Sequence, residues 1–157
     1  MAYLVDGNNL LGHLFPGGHR DPALRVLLIR RLQTFQRQTR TRVILVFDGP
    51  PPDDTPLPRG DKFTVVFPPE GESADAVIQD YIDRPRDRRH LVVVSSDRAL
   101  RTFARAAGAV SLPCDAFERE LKKALRARRE ARELEKDDDP ATKLEVELWA
   151  EAFARKR

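Results

Sequence analysis

The chain has 157 residues, 41% of them hydrophobic, and its 28 Lys and Arg against 25 Asp and Glu leave a net charge of +3. That length suits one ordinary domain with a real core, and the mildly basic balance admits a phosphate-bearing partner without requiring one. A lone cysteine, Cys114, excludes an internal disulfide and a cysteine zinc cage and is expected as a small buried hydrophobe; with no apolar run long enough to span a bilayer and no cleavable leader, a cytoplasmic protein without membrane contact is expected.

The first apolar run, Tyr3 to Val5, has the pattern of a buried strand and stops at Asp6. Gly7, Asn8 and Asn9 follow, residues that favour unusual backbone angles and local side-chain bonds, so a turn is expected there. Gly12 to Gly18 reads as a loop holding His13 and His19. Asp21-Pro22 opens a helix, with a capping carboxylate before proline at the first helical position. Its apolar positions Leu24, Leu27, Leu28, Leu32 and Phe35 carry it to about Arg40. Val43 to Phe47 is apolar throughout, the pattern of a strand covered on both faces, and ends at Asp48-Gly49. Pro50 to Gly60 reads as an exposed loop, and Lys62 to Phe67 as a third strand.

Ser73 is the natural cap of the next helix, whose apolar positions are Ala74, Val77, Ile78, Tyr81 and Ile82. Asp75 falls in its first turn, where the helix dipole favours negative charge. Glu72 precedes the cap, and Asp80 lies roughly 140° round the axis from Asp75. Leu91 to Val94 is a fourth strand, ending at Ser95-Ser96-Asp97, with a helix directly after it that Gly108 terminates. Ala109 to Leu112 is a short fifth strand. Asp115 and Glu118 have the spacing of a capping box for a long helix bearing Lys122, Lys123, Arg126, Arg128, Arg129 and Arg132. Asp137 to Asp139 then lead into a last helix at Pro140, with Leu144, Leu148, Trp149 and Phe153 on one side.

Strands that alternate with helices, and are apolar rather than alternating, specify a mostly parallel α/β sheet of about five strands flanked by helices, with a helical C-terminal tail. The expected division is a catalytic domain over 1–115 and a helical extension over 116–157 packed on it. In such sheets ligands bind beyond the carboxyl ends of the strands. Asp6, Asp48 and Asp97 each stand at such an end, and Asp75 begins a helix on the same side. Gathered at one edge, these carboxylates repel one another unless a cation neutralises them. The donor type suits Mg²⁺ or Mn²⁺. With no Gly-rich phosphate loop, no Ser-His-Asp pattern and no histidine pair at ligand spacing, the inference is metal-assisted attack of water on a phosphodiester.

Asp6-Gly7-Asn8-Asn9, Phe47-Asp48-Gly49, Glu72-Ser73-Ala74-Asp75-Ala76-Val77-Ile78 and Ser95-Ser96-Asp97 together resemble the NYN domains of the PIN-like nuclease superfamily, most closely its YacP-like branch. The resemblance runs in order from about Met1 to Leu112 and, less specifically, through the tail. It implies a Rossmann-like (PIN-like) sheet and a metal-dependent endoribonuclease acting on single-stranded RNA. In the YacP-like branch it further implies ribosome-associated mRNA cleavage, leaving a 5′-phosphate and a 3′-hydroxyl. Carried over by residue, Asp6, Asp75 and Asp97 match the core catalytic, metal-binding acids. Asp48 and Asn9 match the accompanying polar positions, and Asp80 could supply a further acid. Where that branch often has Tyr in the first motif this chain has Asn8, and its middle is short, which puts substrate choice in doubt.

Each residue also has a plainer reading. Asp48 also fits a turn, and Glu72 a solvated acid before a helix. Ser95 and Ser96 either orient phosphate or cap the following helix. The basic helix with Lys122, Lys123 and Arg126 either grips an RNA backbone or is a solvated face with i,i+4 pairs. The three dispersed histidines read as surface residues. A non-catalytic RNA- or ribosome-binding module on the same fold is the alternative to a nuclease. A phosphatase is disfavoured because no Asp-x-Asp follows a strand.

Overall fold

A computed structural model describes residues 1–53, 56–84, 88–135 and 140–155 of the protein, the side chains of 140–142 excepted. The strands are β1 (Ala2–Asp6), β2 (Arg42–Val46), β3 (Phe63–Val66), β4 (Leu91–Val94) and β5 (Val110–Leu112). The helices are α1 (Gly7–Leu14), α2 (Pro22–Thr39), α3 (Ala74–Asp83), α4 (Arg98–Ala106), α5 (Cys114–Leu134) and α6 (Pro140–Ala154). The strands form one sheet in the order β3-β2-β1-β4-β5, every pair parallel.

Because successive side chains of a strand point to opposite faces, the continuous apolar runs divide into two cores. Tyr3, Val5, Val43, Leu45, Val92 and Val94 face α1, α2 and α5, where Leu28, Leu32, Phe35, Phe117 and Leu121 complete a layer. Leu4, Ile44, Val46, Leu91 and Val93 face α3 and α4 and pack on Ile78, Ile82, Leu100 and Ala104. The chain moves outward from β1 through β2 to β3, then returns to the other side of β1 for β4. A crevice opens where that direction reverses, at the carboxyl ends of β1 and β4.

Four local features differ from the sequence reading. The turn after Asp6 and the first three residues of the Gly12–Gly18 loop are helical, since α1 runs from Gly7 to Leu14 with Asp6 as its N-cap residue. Gly7 is there for close approach: a Cβ would stand 2.7 Å from Phe47 and 2.8 Å from the Val46 carbonyl oxygen. The Asp115–Glu118 capping box does not form. Helix α5 begins two residues earlier, with Pro113 rather than Asp115 at the cap, and the Cys114 N–H donates to Ser96 Oγ at 3.0 Å. Glu118 is instead drawn inward to His13, whose Nε2 is 2.9 Å from its Oε2, so His13 is not a bare surface residue.

The apolar side of α6 also splits. Trp149 is buried against Phe15 and Phe153, whereas Leu144 and Leu148 face solvent. Glu145 decides the docking face by reaching Arg30 and Arg31 of α2, each at 2.9 Å. Asp137 to Asp139, and with them the cap expected before Pro140, lie outside the described residues.

Candidate metal and nuclease site

β1, β2 and β4 stop in register at one edge, and the residues just past them enclose a cavity of about 330 Å³. Asp6, Asn8, Asn9 and Asp97 line one part of it, and Asp48, Ser73, Ala74 and Asp75 the rest. Thus Asp6, Asp48, Asp75 and Asp97, together with Asn8 and Asn9, share one space. Lys122, Lys123 and Arg126 do not line it; they sit further along α5. Asp80 turns away and pairs with Arg84 on the exposed side of α3, and Glu72 is exposed outside the cavity.

Asp6 lies at the floor and is only 6% exposed. Ser95 Oγ donates to its Oδ2 at 3.1 Å and accepts the Asp97 N–H at the same distance. Burial nevertheless pushes the Asp6 carboxyl up to about 6, against the lowering effect of the Ser95 hydroxyl and the Asn9 N–H, with Asp75 and Asp97 adding to the rise. Asp75 is exposed at the mouth, in the first turn of α3. Its carboxyl is raised too, first by partial desolvation and then by the charges of Asp97 and Asp48. The acids therefore feel one another across the cavity, and ionising all of them without a counter-charge is unfavourable.

A web of backbone and amide bonds holds these groups. Asp97 caps α4, its Oδ1 accepting the Leu100 N–H at 3.0 Å. Asp48 Oδ1 accepts the Ala74 N–H at 3.3 Å and so ties the end of β2 to the start of α3. Asn8 Oδ1 accepts the Asp48 N–H at 3.1 Å, while Asn9 Oδ1 accepts the Ser96 N–H at 2.8 Å and the Cys114 thiol at 3.1 Å. These bonds use the carbonyl oxygen of each amide and leave each NH₂ as a donor. Neither serine caps α4, contrary to the capping reading: Ser95 joins Asp6 to Asp97, and Ser96 Oγ accepts at the start of α5.

Arg25 of α2 is a contributor that the sequence reading passed over. Its Nη2 donates to Asn8 Oδ1 at 3.4 Å and to the Asp48 carbonyl at 3.2 Å, and its Nε donates to the His19 carbonyl at 3.3 Å. The guanidinium lies 5.1 Å from the centre of the Phe47 ring. In sequence it looks like any solvent-facing arginine of an amphipathic helix. Only its place four residues past the Asp21 cap sets it apart there.

Among the described residues no three His, Cys, Asp or Glu side chains converge closely enough to ligate one ion directly. The chemistry of the donor set still fits a hard cation. Every acid around the cavity is a carboxylate, and Mg²⁺ ordinarily keeps several waters while taking only one or two carboxylates. The raised Asp6 and Asp75 also give a cation something to neutralise.

The sequence model of the YacP-like NYN domain matches residues 3–155. The fold is similar to crystal structures of Rae1 (YacP) from Bacillus subtilis. The wild-type structure superposes with a TM-score of 0.70 at 23% identity over 99% of this chain and 93% of the other. The W164L mutant gives 0.67 at 25% identity over 93% and 90%. The sequence has no significant match among curated proteins.

Proposed function

The chain belongs to the YacP-like NYN family, whose members carry a nuclease-type, RNA-related fold, and from that membership we propose that it is a metal-dependent endoribonuclease acting on single-stranded RNA. The observation that carries this reading is the single cavity shared by Asp6, Asp48, Asp75 and Asp97. Asp6, Asp75 and Asp97 are the catalytic acids; with Asp48 as an accompanying acid they would hold Mg²⁺ or Mn²⁺, partly through the ion's own waters. When bound there, the cation would orient the attacking water and offset charge on the phosphodiester oxygens.

The protein's own residues do the rest. Asn8 and Asn9 line the cavity with their amides held by Oδ1 bonds, and their NH₂ groups would donate to phosphate oxygens. Ser95 holds Asp6 and the Asp97 backbone in one geometry, and Arg25 sets the Asn8–Asp48 side of the rim. Water attacks phosphorus in line and the P–O3′ bond breaks, so the products are a 5′-phosphate and a 3′-hydroxyl. Messenger RNA is the proposed substrate, with the ribosome a proposed partner that presents it. No described helix is long and apolar enough to cross a membrane, and a cytoplasmic site of action is proposed.

The test is cleavage of labelled single-stranded RNA with Mg²⁺ or Mn²⁺, with chelator, and by Asp97→Asn. Asparagine is as good a helix cap as aspartate, so the variant removes charge and keeps the start of α4. Cleavage that depends on the metal and is lost in the variant is expected. Cleavage that survives both treatments overturns the metal reading. RNA binding without cleavage in either metal, with ribosomes present, leaves the binding module instead.

A further inference from the structure

A second cavity, of about 320 Å³, lies between α2, α5 and α6 and shares no lining residue with the acidic one. Arg31, Lys122, Arg126 and Arg129 line it together with Trp149 and Phe153, and no acid does. Arg126 has no ion-pair partner among the described residues, whereas Arg129 pairs with Glu133, Lys122 with Glu118 and Arg31 with Glu145, and Arg126 and Arg129 stand exposed at the mouth. Lys122 Nζ lies 4.5 Å from the centre of the Phe153 ring. Behind the wall, out of reach of solvent and so of the groove, Trp149 Nε1 and Arg31 Nε lack an acceptor. Both belong to side chains about nine-tenths or more buried.

Apolar rings beside a rim whose charged side chains are all basic define the ligand chemistry: a flat ring joined to a negative charge. A nucleotide has both parts. We propose that this groove is a second, non-catalytic site that takes one nucleotide of a single-stranded RNA, the base against Phe153, which packs on the buried Trp149, and the phosphate between Arg126 and Arg129. It rests on RNA being the substrate class, and it gives the basic helix a task apart from the acids. Base–aromatic stacking and phosphate neutralisation are the two terms by which single strands are held without sequence readout. Cys114, at the start of α5, touches Asn9 of the acidic cavity. Lys122 to Arg129 lie roughly 12 to 22 Å further along that helix at 1.5 Å per residue. One strand can therefore lie across both sites, with the groove holding a nucleotide remote from the broken bond.

Trp149 is the chain's one tryptophan, so its fluorescence reports the groove directly. The full-length protein is titrated with an unstructured oligoadenylate in chelator, where no cleavage occurs and failure of the nuclease reading cannot affect the result. Saturable quenching is expected. Arg126→Gln with Arg129→Gln should weaken it about tenfold and lower the salt slope by about 0.7, the value for one phosphate contact on a single strand. Ala150→Phe fills the cavity from an exposed position and keeps every cation, and it should abolish the quenching. Absence of saturable quenching, quenching unchanged by either variant, or equally tight quenching by adenosine monophosphate would overturn the proposal, the last result by showing a pocket for free nucleotides.

Discussion

Asp6 and Ser95 are joined by a buried hydrogen bond of 3.1 Å at the floor of the acidic cavity. The same hydroxyl accepts the Asp97 N–H, so one serine registers the end of β1 against the end of β4. Ser95→Ala leaves a buried carboxylate without its neutral donor and the Asp97 N–H without its acceptor. Losing a bond to a charged group costs about 1.5–3 kcal/mol. Chemical denaturation at pH 7.5 should show a loss of that order. The Asp6 carboxyl should titrate above about 6, because the larger of the two hydrogen bonds that lower it is gone. Side-chain carbon shifts followed by NMR against pH check this.

Asp6 itself sets a stability trade. Its carboxyl is raised from 3.8 to about 6 in the folded chain. Between those values the folded state holds a proton that the unfolded state has released. The group's contribution is therefore fully present below about pH 4 and is lost as pH rises through 6. Two units correspond to about 3 kcal/mol. Asp6→Asn should remove this pH dependence and make the metal-free protein more stable at pH 7.5 than at present, by about 1–3 kcal/mol, while abolishing RNA cleavage. Denaturation curves at pH 4.5 and 7.5 decide it, and an Asp6→Asn protein less stable at pH 7.5 would contradict the buried-charge account.

The same titration couples to the cation. A carboxyl that is protonated below about pH 6 must lose its proton before it can serve as a ligand. Mg²⁺ binding should release a proton at pH 5.5 and none at pH 8, and its affinity should fall with pH below 6. Calorimetry in buffers of different ionisation enthalpy measures the protons directly. Proton release of equal size at both pH values would place the ion away from Asp6.

Gly7 reverses an ordinary rule. Within a helix Gly→Ala gains up to about 1 kcal/mol. Here the new methyl would meet the Phe47 ring at 2.7 Å and the Val46 carbonyl at 2.8 Å, and backbone cannot step aside as a flexible side chain can. Overpacking of this kind costs about 1–3 kcal/mol. Gly7→Ala is expected to lower the melting temperature by several degrees, since about 2–4 °C accompanies each kcal/mol at this chain length. It should also move Asn8 and Asn9 and so reduce cleavage more than stability alone explains.

The sheet was legible because its strands are covered on both faces: Tyr3–Val5, Val43–Phe47 and Leu91–Val94 have no polar interruption to confuse with a loop. Their acids were legible for the same reason, since a carboxylate at the end of such a run has nowhere to go but the carboxyl edge. Helix α1 was not legible. Gly-Asn-Asn has the composition of a turn, and only the close passage of Phe47 and the bonds from Asp48 and Ser96 make those residues helical and useful. The Asp115–Glu118 pair misled because local spacing cannot see His13, 105 residues earlier in the chain, competing for the same carboxylate. The basic face of α5 could be seen, but not that α6 would close over it and leave a groove.

Arg25 tests how far the rim's geometry governs the reaction. Its Nη2 bridges the Asn8 amide oxygen and the Asp48 carbonyl, while Nε holds the His19 carbonyl. A lysine keeps the charge but offers one ammonium in place of a planar fork, so it cannot hold all three oxygens from one position. If Arg25 only contributed positive charge near phosphate, Arg25→Lys would cleave RNA like the parent. If it positions Asn8 and Asp48, Arg25→Lys should lose about tenfold in kcat/KM, a loss of ~1.4 kcal/mol in transition-state stabilisation. It should also need more Mg²⁺ for half-maximal rate, with the melting temperature nearly unchanged because the residue lies outside both cores. The Mg²⁺ requirement is the deciding measurement, since a merely structural arginine would lower stability and leave the metal dependence where it was.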